Sequence, residues 1–110
     1  MMKMRMSPAA AGLLRALIVR SGAERNRILL TEANSVDWQS LTFTGERHQL
    51  VLRITGGDSS EVAERMCAGL EDCEFSIAGL VVADIARVGT PRRTPDDATE
   101  IVIEALTVSD

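Results

Sequence analysis

Two stretches, HQLVLRI (48–54) and TEIVIEALTV (99–108), place an apolar residue at every second position. A strand points successive side chains to opposite faces, so each stretch has one apolar face that has to be covered. In the first, Leu50, Leu52 and Ile54 share that face with His48. In the second, Ile101, Ile103 and Ala105 form its counterpart. Strands of this kind need a second layer, and the chain has two amphipathic segments that can supply it.

The first amphipathic segment opens at Ser7-Pro8. Serine caps free N–H groups, and proline at the first helical position loses no hydrogen bond. Leu13, Leu14, Leu17 and Ile18 then recur at helical spacing up to Gly22, which predicts a helix over 8–21. The next stretch, RILLTEANSVDWQSLTF, reads as strand, with slips in alternation near Ala33-Asn34-Ser35 and near Gln39-Ser40 that predict a bulge or a break. TGER (44–47) reads as the turn into the HQLVLRI strand. A second helix is expected over 59–71, with Val62, Met66 and Leu70 as its buried stripe and Ala63 and Cys67 beside it. GLVVADIARV (79–88) is a third strand, GTPRRTPDDA an exposed loop, and TEIVIEALTV the fourth strand.

The order αββαββ predicts an α+β two-layer sandwich, in which a four-stranded, mainly antiparallel sheet carries both helices on one face. It is the order obtained by moving the first strand of a βαββαβ ferredoxin-like domain to its end. That resemblance is one of topology alone, and it implies the strand order 3-4-2-1 with the second and fourth strands central. A plain meander satisfies the same helix constraint. The length of 110 residues suits one domain, taken as 7–110 behind a flexible N-terminus at 1–6.

Composition narrows the function classes. The chain has no tyrosine, and its aromatic residues are Trp38, Phe43 and Phe75, so there is little on which to stack nucleic-acid bases. Up to Arg27 there are six basic residues and one acid, whereas the remainder holds six arginines and fifteen acids. A basic segment on an acidic body suggests docking on itself or on a second copy; an acidic body repels a polyanion, so nucleic acid is an unexpected partner. Cys67 and Cys73 match no metal or redox spacing, His48 is the single histidine, and no cofactor motif is present. Arg15 interrupts the N-terminal apolar run, which argues against a secretory signal and a membrane span and for a cytoplasmic protein with reduced thiols.

The stretch RITGGDSSEVAERM (53–66) resembles a phosphate-binding turn, with Gly56-Gly57 between a strand and a helix start. Asp58 at the expected N-cap and Glu61 three residues on predict instead a capping box, whose carboxylates would repel a phosphate. The remaining candidates are scattered. His48 is a lone acid/base group or a histidine at the rim of the core with a backbone partner. Cys73 lies between Asp72 and Glu74, a poor setting for a nucleophilic thiolate. Arg92 and Arg93 hold an anion, or are neutralised by Asp96 and Asp97.

Strand parity directs a further set away from the helices: Val51, Arg53, Val82, Asp84, Val102, Glu104 and Leu106. Exposed valines and leucine together suggest an interface, and Arg53, Asp84 and Glu104 are candidate ligand-binding residues on the same face. No catalytic constellation is evident. The expectation is a binding or assembly domain that forms a homodimer through its open sheet face. The alternative is a small ligand-binding regulator or small enzyme with a pocket near His48 or on that face.

Overall fold

A computed structural model describes residues 6–109. The order is α1 (Pro8–Ser21), β1 (Ile28–Gln39), β2 (Thr44–Ile54), α2 (Ser59–Cys67), β3 (Leu80–Arg93) and β4 (Thr99–Ser109). The strands form one sheet in the order β1-β2-β4-β3, and every neighbouring pair is antiparallel. This is the expected two-layer α+β arrangement, with β2 and β4 central. The expected flexible segment 1–6 lies outside the described residues except for Met6.

The helix termini follow from local chemistry. Ser7 accepts a hydrogen bond from the Ala10 N–H, Pro8 occupies the first turn, and Gly22 closes α1 in the left-handed region at φ 71°. Ala9, Ala10 and Gly12 are small, so α1 approaches its neighbours closely while Leu13 and Leu17 insert into the core. Val62, Ala63 and Met66 do the same from α2. They meet Leu50, Leu52 and Ile54 of β2 and Ile101, Ile103 and Ala105 of β4, so the core lies between the helices and the two central strands.

Two arginines tie the helices together. Arg20 donates to the carbonyls of Met66 and Ala68 at the end of α2, and Arg65 donates back to the Ser21 carbonyl at 3.0 Å. Carbonyls at a helix C-terminus lack intrahelical partners, and a guanidinium satisfies them. The basic N-terminal segment thus docks in part on its own body, through Arg20.

Several local expectations are corrected. β1 runs unbroken through Ala33-Asn34-Ser35 and ends at Gln39, at the second predicted slip, while its bulge falls between Leu30 and Glu32, upstream of both. The turn is at 40–43, where the Ser40 hydroxyl accepts from the N–H groups of Thr42 and Phe43; TGER belongs to β2. Gly45 lies so close to β4 that a Cβ there would collide with the Thr107 carbonyl. α2 ends at Cys67, and Leu70–Asp72 forms a separate 3-10 turn. β3 reaches Arg93 through two irregularities, so the first half of the expected loop is strand.

The Gly-Gly turn is also corrected. Asp58 makes no side-chain cap bond to α2. Its carboxylate pairs with Arg27, which also donates to the Thr55 carbonyl at 2.8 Å and lies across Gly56 where a Cβ would be. Gly56, at φ 107°, has to be glycine for this reason too. The start of α2 is anchored by Ser59, which donates to the Asp97 carbonyl at 2.9 Å and bonds the Thr99 hydroxyl.

Candidate functional site: the open face of the sheet

Residues directly opposite in a ladder share a face, so the register assigns each side chain. Leu50↔Ile103 and Leu52↔Ile101 face the helices. Arg47↔Leu106, Gln49↔Glu104, Val51↔Val102 and Arg53↔Glu100 face the other way. Nothing in the described chain covers that second face, because both helices pack on the first.

The register moves one expected interface residue. Val82 lies opposite Thr107, on the helix side, and packs against the core. The cause is a bulge between Val82 and Asp84, which reverses parity so that Asp84 still faces outward, opposite Leu106. Val81 and Val88 take the outward places instead, and both are exposed. Leu29 and Val36 of β1 extend the apolar set to the other edge.

The charged candidates divide into two groups. Arg53 pairs with Asp96, Arg92 with Glu100 and Arg93 with Asp97, so the end of the β3–β4 hairpin neutralises itself. Arg47, Asp84 and Glu104 have no ion pair among the described residues. They line a shallow depression of about 330 Å³ in the middle of the face, with Asn34, Gln49 and Ala86, and the buried His48 and Ala105 border it as well. Arg53 is not among its lining residues, so the expected trio of Arg53, Asp84 and Glu104 is not brought together.

His48 belongs to the covered side and is 3% exposed. Its Nδ1 lies 2.7 Å from the Ser35 hydroxyl and its Nε2 lies 2.8 Å from the Thr107 hydroxyl. The partners are side chains, not the expected backbone group. A neutral imidazole donates from one nitrogen and accepts at the other, and hydroxyls suit both roles. Burial lowers the imidazole pKa from its ordinary value, against an opposing pull from the Glu46 carboxylate. Ser35 and His48 have the spacing of a nucleophile and base. The ring's other nitrogen is taken up by Thr107 and the ring is closed off from solvent, so the trio acts as a polar ladder across β1, β2 and β4. Sequence reasoning missed both partners, although Ser35 opposes His48 in register and Thr107 continues the inward series of β4.

The thiols have different surroundings. Burial raises the pKa of Cys67, as its expected packing role requires, although it is only partly buried. Cys73 receives a hydrogen bond from Arg20 at 3.1 Å, so a cation rather than the flanking acids faces its sulfur. Among the described residues no three His, Cys, Asp or Glu side chains are grouped to hold a metal ion, and no helix is long and apolar enough to cross a membrane.

No family model and no curated protein matches this sequence. A chain in the solved structure of the virion of a native gene transfer agent particle is similar in fold. The TM-score is 0.59 at 14% identity, over 94% of this chain and 100% of that one.

Proposed function

We propose that this protein is a non-catalytic assembly subunit, joined to a second copy through the open face of its sheet. The observation that carries this is the uncovered face itself. Val51, Val102 and Leu106 lie at its centre, Leu29, Val36, Val81 and Val88 lie toward its edges, and among the described residues no helix packs on it. Apolar side chains spread over one side of a sheet gain by being removed from water. The polar groups among them suit a self-complementary contact: Arg47 of one copy can meet Asp84 or Glu104 of the other about a twofold axis.

The chain of similar fold is part of a virion, which agrees with a role met through contacts between subunits. Light scattering of the purified protein at micromolar concentration tests the reading. The expected mass is twice that of the chain, and Val102→Glu combined with Leu106→Glu reduces it to that of one chain with the circular dichroism spectrum unchanged. A single-chain mass for the wild type, unaltered by the double substitution, would contradict it.

A further inference from the structure

The β1–β2 turn carries two apolar side chains into solvent. Leu41 is fully exposed and Phe43 is half exposed, on a four-residue turn that needs neither for its hydrogen bonds. Behind them, Asp37 and Glu46 lie directly opposite each other across the two strands. Like charges in that position repel, and among the described residues neither carboxylate has an ion-pair partner. The tip is therefore an apolar knob set in a region of excess negative charge.

A groove of complementary character lies on the helix layer. It has a volume of about 540 Å³ and runs between α1 and the segment 73–78. Ala16, Val19, Phe75 and Ile77 line it, with Arg15 and Arg20 as its cations and Glu74 as its one acid. Val19 is 80% exposed, an unusual place for a valine on a helix that is otherwise well packed. Gly12 lets the segment come close, since a Cβ there would meet the Ile77 side chain at 3.0 Å. Arg20 is held by carbonyls of α2, whereas Arg15 has no ion pair among the described residues.

We infer that Leu41 and Phe43 of one copy insert into the groove between α1 and segment 73–78 of another, with Asp37 and Glu46 meeting Arg15. The occupant is a second copy of this chain because the tip is apolar and backed by two acids, while the groove is apolar and holds two arginines against one acid, Glu74. The contact joins two different surfaces, so it is heterologous: a joined pair keeps one free tip and one free groove, and addition continues until a ring closes or a filament grows. It is separate from the sheet-face contact proposed above, and it extends that pairing into a larger assembly.

The two contacts are separated by working in the Val102→Glu, Leu106→Glu background, where only the tip and groove remain. Two apolar side chains and a charge pair make a small interface, so sedimentation is followed up to about millimolar concentration. The expected result is a mass that rises with concentration beyond two chains. Leu41→Asp with Phe43→Ser, a tip variant, stays at one chain, and so does Val19→Glu with Arg15→Glu, a groove variant. All four positions lie in a turn or on the outer side of α1, and thermal melts verify that the variants remain folded. Mixing the tip and groove variants restores a 1:1 complex and nothing larger, because one working tip and one working groove remain. A single-chain mass at every concentration in this background would overturn the inference. So would a tip or groove variant that is folded and still associates, or a mixture that remains two separate single chains. Neither of the last two results bears on the sheet-face pairing, which is read in the wild-type background.

Discussion

On the helix side of the sheet, Leu50, Leu52, Ile101 and Ile103 are closed off, and even His48 is supplied with two hydroxyl partners. On the other side, Val51, Val102 and Leu106 sit one residue away on the same strands, half-buried by their sheet neighbours and without a second layer among the described residues, where Arg47, Asp84 and Glu104 also have no ion pair. The first face is completed by its own chain, with every buried side-chain polar atom among the described residues hydrogen-bonded. The second has the ingredients of a core, apolar centre and placed charges, without its second layer. Folding one chain therefore satisfies one face, and in the proposed dimer association satisfies the other.

The largest effect separates the two faces by truncation. Leu52→Ala removes a fully buried side chain and is expected to cost about 2–5 kcal/mol. Val51→Ala, its neighbour on the open face, is expected to cost less than about 1 kcal/mol in the single chain. Urea unfolding measures both, in the dimer-disrupting background so that association does not contribute. Equal losses would remove the distinction between the faces.

A second pair of substitutions tests the bulge that reverses parity in β3. Val82→Glu brings a charge against the core and is expected to destabilise by about 2 kcal/mol or more. Val81→Glu points to the open side and, in the same Val102→Glu, Leu106→Glu background, is expected to change stability by no more than about 0.5 kcal/mol. The reverse order would mean that β3 follows simple alternation and that the bulge is absent in solution.

A smaller effect is read through pH. Because burial lowers the His48 pKa, the unfolded chain binds a proton more readily than the folded one below the ordinary imidazole value. Stability is thus complete above that value and declines as pH falls toward the lowered one. His48→Gln lacks this group, so its urea midpoint is expected to fall less than that of the wild type between about pH 8 and about pH 5. An identical acid decline in both proteins would show that His48 is not held neutral in the fold.

Much of the architecture was legible because it rests on period and caps. Leu50, Leu52 and Ile54 announced β2, Ser7-Pro8 and Gly22 bracketed α1, and the regular apolar strands predicted which two would be central. The errors cluster where tertiary contacts outrank local chemistry. Asp58 has the sequence of a cap, but Arg27, thirty-one residues away in the chain, takes its carboxylate. Val82 has outward parity until the bulge after it is counted. TGER has turn composition, yet Gly45 serves a close strand approach, and the real turn at 40–43 holds the residues that resemble strand. That last error hid Leu41 and Phe43: apolar residues assigned to a strand raise no question, whereas the same residues at an exposed tip do. The site residues were only partly legible: neutralisation of Arg92 and Arg93 by nearby acids was expected and Asp97 does pair with Arg93, whereas Arg92 takes Glu100 and Asp96 takes Arg53, pairings set by the strand register.

The most direct test of association through the open face is a dilution series of methyl NMR spectra. The account predicts that methyl shifts of Val51, Val102 and Leu106 move with protein concentration, while those of Leu52 and Ile103 on the covered face remain in place. Shifts that are independent of concentration across the open face in a single-chain protein, or movement at the covered methyls with none at Val102 and Leu106, would contradict it.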